Sequence, residues 1–90
     1  MRDIKYFESR GRHIIINLVD NQSIQYVGQL KNEIKKLPLN FVEIGKSYII
    51  NLKHMRECHV SYVVMNDGKE LGISRAYRNY FNEKILEYNS

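Results

Sequence analysis

The chain has 90 residues, which is the size of one domain. Its apolar runs, such as residues 14–16, are far shorter than the roughly 20 residues that cross a bilayer, and residues 1–9 have no apolar segment typical of secretory signals. Fourteen Lys and Arg against ten Asp and Glu give a net charge of +4, which is compatible with a polyanionic partner. The single cysteine, Cys58, excludes an internal disulfide and favours a cytoplasmic location.

The N-terminal part of the chain predicts short antiparallel strands. The expected strands are residues 4–7, 13–18 and 23–27. Arg10-Gly11-Arg12 and Asp20-Asn21 lie between them, and glycine, aspartate and asparagine tolerate the backbone of tight turns. This part is therefore expected to form hairpins with polar tips.

A short inner helix is expected over residues 30–37. Leu30, Ile34 and Leu37 have the spacing of a helical stripe, and Pro38 ends the helix because the residue before a proline avoids helical backbone. The lysines of this segment fall away from the stripe and are interpreted as a solvated face rather than a nucleic-acid surface: Lys31, Lys35 and Lys36.

Strand character returns at residues 48–50 and 55–65. Four residues of the second segment alternate with more polar ones: Cys58, Val60, Tyr62 and Val64. Cys58 is therefore expected to be a small core residue. Asn66-Asp67-Gly68 predicts a hairpin turn, and residues 69–73 form the returning strand.

Ser74 is expected to cap a last helix over residues 75–88. The apolar stripe of this helix consists of Tyr77, Phe81, Ile85 and Tyr88. The pattern as a whole predicts a mostly β fold with one short inner helix and a C-terminal helix, built from hairpins rather than βαβ crossovers.

Three motifs follow one another along the chain. The first comprises Tyr6-Phe7-Glu8-Ser9 and Arg12-His13. The second comprises Leu37-Pro38, Phe41, Lys46, Ser47-Tyr48, Ile49-Ile50 and Asn51. The third comprises Asp67-Gly68, Ile73-Ser74-Arg75 and Tyr77. In order and spacing these motifs together resemble the LytTR family of DNA-binding domains, and the resemblance covers essentially the whole chain.

The resemblance implies an elongated fold of small stacked antiparallel sheets whose loops enter the major grooves of duplex DNA. It implies a cytoplasmic output domain of a bacterial transcription regulator, usually of a two-component system with a receiver domain. The expected partner is promoter DNA with direct repeats, on which two otherwise monomeric domains pair. By position in the motifs, the candidate base-reading residues are His13, Lys46 and Arg75.

Other residues are candidates for contacting phosphates or shaping the loops. Arg10 and Arg12 lie on the predicted turn, and Ser47 and Asn51 follow Lys46 in the family motif. Three further residues could extend a phosphate-binding surface or lie outside it: Lys53, His54 and Arg56.

Two departures from the family pattern stand out. Gly45 occupies the position before the basic residue, where the family usually has a histidine or another polar residue. The family also usually has a strand before the segment that begins at Ile4, so we expect a single domain over residues 1–90 in which the first sheet is incomplete. Gly45 favours an alternative in which the domain is a protein-interaction module of the same fold.

Other functions find less support. His54, Cys58 and His59 suggest zinc, but a second cysteine is absent and two of these residues are adjacent, so we expect no metal and no cofactor. No nucleophile lies beside an obvious base, so we expect no enzyme. Seven tyrosines suggest a single-stranded nucleic-acid binder, but most lie on apolar stripes, which favours core packing.

Overall fold

Two antiparallel sheets and two helices make up the computed structural model, which describes residues 3–90. The strands are β1 (Ile4–Arg10), β2 (His13–Leu18), β3 (Ser23–Val27), β4 (Phe41–Glu43), β5 (Tyr48–Asn51), β6 (Met55–Cys58), β7 (Tyr62–Met65) and β8 (Glu70–Gly72). The mostly β class with short antiparallel strands is thus confirmed. The short strand β4 was not expected from the sequence.

The first sheet has five strands in the order β3-β2-β1-β5-β4. Gly11 and Asn21 turn the chain between its first three strands with φ angles of +62° and +66°, as the turn chemistry predicts. β1 then pairs with β5, from a distant part of the chain, with Tyr6 opposite Ile50 and Glu8 opposite Tyr48. β1 is therefore the central strand that joins the two halves of this sheet.

The second sheet has three strands in the order β6-β7-β8. The predicted turn between β7 and β8 is confirmed, with Gly68 at a φ of +90°. The expectation of one strand over residues 55–65 is wrong, because the chain reverses at residues 59–61 and β6 pairs with β7. Val60 is 82% exposed in this turn, and Cys58 is exposed rather than part of the core.

The inner helical segment is confirmed and consists of α1 (Leu30–Glu33) and a 3₁₀ turn (Ile34–Lys36). The last helical segment starts as a 3₁₀ turn (Arg75–Tyr77) and continues as α2 (Arg78–Asn89). Ser74 precedes it, but its side chain does not cap it, contrary to expectation. Neither helix described within residues 3–90 has the length and apolar content needed to cross a membrane.

The five-stranded sheet has a hydrophobic cluster on each face. Tyr6 and Ile50 face the second sheet and α2, where they join a cluster that includes Phe81. Their neighbours Phe7 and Ile49 point to the other face and pack with Leu30 of α1. Because side chains alternate along a strand, β1 and β5 supply both clusters.

The aromatic residues pack largely as predicted. Tyr6 is buried, its ring lies 6.0 Å from that of Tyr48, and Tyr77 contacts Tyr80 edge to face at 6.1 Å. Tyr88 is 43% exposed, so the predicted stripe on α2 ends before it. Most of the rings therefore pack in or against the two hydrophobic clusters.

An ion pair joins the two sheets. Lys5 of β1 is 9% exposed, and its Nζ atom lies 2.6 Å from a carboxylate oxygen of Asp67 in the turn between β7 and β8. Lys5 also donates to the side-chain oxygen of Asn21 at 3.3 Å. The hydrogen bond from Lys5, followed by one from the backbone N–H of Lys69, lowers the pKa of the Asp67 carboxyl.

We expect Asp67→Asn to lower the free energy of unfolding by about 1–3 kcal/mol, because a nearly buried ammonium loses its charged partner. Since the pKa of Asp67 is lower in the folded state, its contribution is present above the unfolded pKa of about 4 and is lost as the pH falls through the folded-state pKa. The free energy of unfolding, measured by denaturation at several pH values from neutral to acidic, should therefore fall less with pH for Asp67→Asn than for the unaltered protein. Arg56→Gln removes an exposed ion pair with Glu57 and should leave both the stability and its pH dependence unchanged. Equal effects of the two changes would contradict this role.

Candidate nucleic-acid interface

Three segments far apart in sequence meet at one end of the five-stranded sheet. The turn between β1 and β2 lies there, since Arg10 pairs with His13. The loop of residues 44–47 enters β5 at the same end, since Tyr48 pairs with Glu8. We call this the loop end, and it also includes residues 73–75, which lead into the last helical segment.

Backbone hydrogen bonds hold these segments together. The N–H of Ser9 donates to the carbonyl of Ser47 at 2.8 Å, which ties the loop of residues 44–47 to β1. The N–H of Ser74 donates to the carbonyl of Ile44, also at 2.8 Å, which ties the same loop to the start of the last helical segment. Lys46 is therefore held between the turn that carries Arg12 and the segment that carries Arg75.

Gly45 lies where the loop of residues 44–47 passes close to Ser74. A Cβ atom at this position would lie 3.3 Å from the Cβ atom of Ser74, which is closer than side chains normally pack. A side chain at this position would require Ser74 or the loop to shift by a few tenths of an ångström, next to the hydrogen bond between Ser74 and Ile44. The departure from the family pattern therefore coincides with a close approach between two segments of the loop end.

The candidate base-reading residues are exposed at this end. His13 begins β2, Lys46 lies in the loop, and Arg75 begins the 3₁₀ turn that precedes α2. None of these side chains forms a hydrogen bond or ion pair with another residue of the described range 3–90, and the same holds for Arg12 and Ser47. The cations among them therefore have no internal partner to give up before they contact another molecule.

A groove of about 680 Å³ runs beside Lys46, between the β1–β2 turn, α1 and the loop of residues 44–47. Arg12, Lys31 and Lys46 line it, together with Tyr77 and Glu43. Sequence reasoning interpreted Lys31 as part of a solvated face, because the helical stripe shows only that its side chain leaves the core, not what lies opposite it. Glu43 also accepts a 3.5 Å hydrogen bond from Tyr80, and burial, followed by the charge of Glu43, raises the pKa of Tyr80.

Arg10 differs from Arg12 in its surroundings. Its guanidinium lies 2.9 Å from the carboxylate of Glu8 on the same strand, and its side chain is 73% exposed. Arg10 is thus at the loop end, but an acidic neighbour partly neutralises it.

Lys53 and His54 lie at the opposite end of the five-stranded sheet. β5 runs from the loop end to Asn51, which separates the two groups by about 10 Å of strand. Lys53 and His54 lie 3.6 and 3.1 Å from the carboxylate of Asp3, and the hydrogen bond from His54, followed by the charge of Lys53, lowers the pKa of Asp3. Arg56 is 3.7 Å from Glu57. The structure does not bring these three residues to the loop end.

Asn51 is a buried hydrogen-bonding residue. It is 3% exposed, its Nδ2 donates to the carbonyl of Ile4, and its Oδ1 accepts from Asn40 and from the backbone N–H of Lys53. These bonds, of 2.8 to 3.0 Å, join β1, β5 and the segment before β4. The position favours a role in shaping the fold, because a phosphate cannot reach a buried amide.

The residues considered for zinc are separated in the structure. β6 lies between His54 and the turn that holds His59, and Cys58 is exposed. His59 instead lies 2.9 Å from Glu57 and stacks on Tyr62 at 4.3 Å. Within residues 3–90, no three potential metal-binding side chains come together.

We expect Asn51→Ala to lower the free energy of unfolding by about 1–3 kcal/mol, because it removes a buried amide and the three hydrogen bonds that it makes with Ile4, Asn40 and Lys53. Ser47→Ala, at an exposed position of the same motif, should change it by less than about 0.5 kcal/mol. Chemical denaturation of the two variants measures the difference. A fully stable Asn51→Ala variant with impaired DNA binding would instead identify Asn51 as a contact residue.

Comparisons with known proteins agree with this architecture. Residues 1–86 match the family model described as the LytTr DNA-binding domain. Among solved structures, the chain is similar to the LytTr DNA-binding domain of a Bacillus cereus protein named as a methyl-accepting/DNA response regulator. The two are 20% identical with a TM-score of 0.82, over 92% of this chain and 81% of that chain. No curated protein matches in sequence.

Proposed function

This chain belongs to the LytTR family of DNA-binding domains, and we propose that it binds duplex DNA sequence-specifically by inserting its loop end into the major groove. The observation that carries the proposal is that His13, Lys46 and Arg75 are exposed at the loop end, on segments that backbone hydrogen bonds and strand pairing hold together. Neither helix is needed to read bases, because the candidate base-reading residues lie at the start of β2, in the loop of residues 44–47 and at the 3₁₀ turn.

The side chains at the loop end suit different parts of DNA. The guanidinium of Arg75 can donate to both O6 and N7 of a guanine, which discriminates by about 1–3 kcal/mol. Lys46 can donate to a base or a phosphate, and His13 can donate to or accept from a base edge. Arg12 is assigned to a phosphate, where it orients the protein without reading sequence.

The proposed context is the output half of a bacterial transcription regulator in the cytoplasm. A receiver domain of a two-component system would control it, and two copies, each monomeric alone, would pair on direct repeats in a promoter. The name of the Bacillus cereus protein supports this context, since it places a domain of this fold in a response regulator.

A protein-interaction module of the same fold is the alternative that Gly45 favoured. The contact with Ser74 gives an independent reason for glycine at this position, so Gly45 no longer argues against DNA. The unpaired cations at the loop end also favour a polyanion over a typical protein surface.

We expect the affinity for duplex DNA to fall steeply with salt. Binding through about five phosphates predicts a slope of roughly −4 to −5 in a plot of log affinity against log salt. Fluorescence anisotropy with a duplex selected from a random-sequence library, at several salt concentrations, measures the slope. A flat response, or failure of the selection to enrich any sequence, would overturn the proposed function.

We expect Arg75→Ala to weaken the selected duplex by about 5- to 150-fold, since a bidentate base contact is lost. Binding to random duplex should fall by only about threefold or less, because few phosphate contacts change. Lys53→Ala is the matched control, because it also removes one cation but lies at the opposite end beside Asp3. If Arg75→Ala weakened both duplexes equally, Arg75 would be a phosphate contact. Equal effects of Lys53→Ala and Arg75→Ala would contradict the location of the interface.

A further inference from the structure

We propose that the groove beside the loop end seats one phosphodiester strand of the bound DNA, and that Lys31 of α1 is a phosphate-binding residue. This inference deepens the proposed function and depends on it. Arg12 and Lys46 flank the same groove, so the DNA surface extends from the loops onto the inner helical segment.

The charges of the groove favour a phosphate. Arg12, Lys31 and Lys46 supply three cations, and no carboxylate of residues 3–90 pairs with any of them. Glu43 is the acidic residue of the lining, and its carboxylate accepts a hydrogen bond from Tyr80. The lining therefore has a net positive charge, with its cationic side chains free to meet an anion.

Lys31 is held in place by its neighbours along the chain. Leu30 is 5% exposed and packs in the cluster under α1. The N–H of Gly28 donates to the carbonyl of Arg12 at 3.1 Å, which ties the entry of α1 to the β1–β2 turn. A Cβ atom on Gly28 would lie only 3.0 Å from Ile14, so glycine allows this close approach. The backbone just before Lys31 is thus anchored both to the β1–β2 turn and to the cluster under α1.

The three lysines of the inner helical segment are not equivalent. Lys31 lines the groove, whereas Lys35 and Lys36 lie on the 3₁₀ turn that follows α1 and are exposed away from the lining. A charge stripe along the helix would engage all three. A strand seated in the groove engages Lys31 alone.

The groove is continuous with the surface proposed to meet the bases. A second, smaller hollow at the loop end is lined by Gly45, Ser74 and Tyr77, and it shares Lys46 and Tyr77 with the groove. A DNA strand that contacts Lys46 can therefore continue past Arg12 towards Lys31. This continuity argues for the DNA backbone as the occupant rather than a separate small molecule.

Paired charge-removing variants test the assignment. We expect Lys31→Gln to weaken both the selected and the random duplex by roughly 8-fold at about 0.1 M salt and to reduce the salt slope by about 0.9, as one lost phosphate contact predicts. Lys35→Gln removes the same charge from the same segment and should change affinity by less than about twofold. Thermal melts of both variants should match the unaltered protein, because both side chains are exposed.

Single methylphosphonate linkages along the selected duplex locate the contact. One neutral linkage should weaken the unaltered protein and the Lys35→Gln variant but add nothing to the loss in Lys31→Gln. If specific binding persists while Lys31→Gln and Lys35→Gln behave alike, this inference fails and the proposed function stands. If the unaltered protein binds no duplex, the proposed function itself fails.

Discussion

The pairing of β1 with β5 is the interaction on which the rest of the structure depends. It joins residues 40 to 44 positions apart and places Tyr6 opposite Ile50 and Phe7 opposite Ile49. The first pair faces the second sheet and the other pair faces α1, so one register organises both hydrophobic clusters. The same register brings Ser47 to Ser9 and thereby delivers Lys46 to the β1–β2 turn. A shift by one residue would turn both sets of side chains to the wrong faces.

Some cations of the chain are paired with acidic residues, and others have no such partner within the described residues and can bind another molecule. Asp67 pairs with Lys5 between the sheets, and Asp3 lies beside Lys53 and His54 at the far end. At the loop end, by contrast, several cations keep no partner among residues 3–90. The modest net charge of +4 is therefore less informative than its distribution, since an excess of unpaired cations on one surface is what attracts a polyanion.

Two predictions from local sequence patterns were wrong. Residues 55–65 alternate well enough for a strand, yet the chain turns at residues 59–61, which leaves Cys58 and Val60 in solvent. Ser74 suits a helix cap, but the backbone N–H of Ser74 is bonded to Ile44 and the helix opens with a 3₁₀ turn. The first failure is a chain reversal inside one segment, whereas in the second the start of the helix is tied to a distant segment at Ile44.

The sequence by itself determined the class of fold, the turns at Gly11, Asn21 and Gly68, and the family, because turn chemistry, strand alternation and motif spacing are local properties. Through the resemblance to the family it also named His13, Lys46 and Arg75 as candidates. Only the tertiary structure decided that these residues share one end, that Lys53 does not, and that Lys31 faces their groove. The physical reason is that strand pairing and hydrogen bonds between distant segments create proximity, and no local pattern encodes which segments will meet.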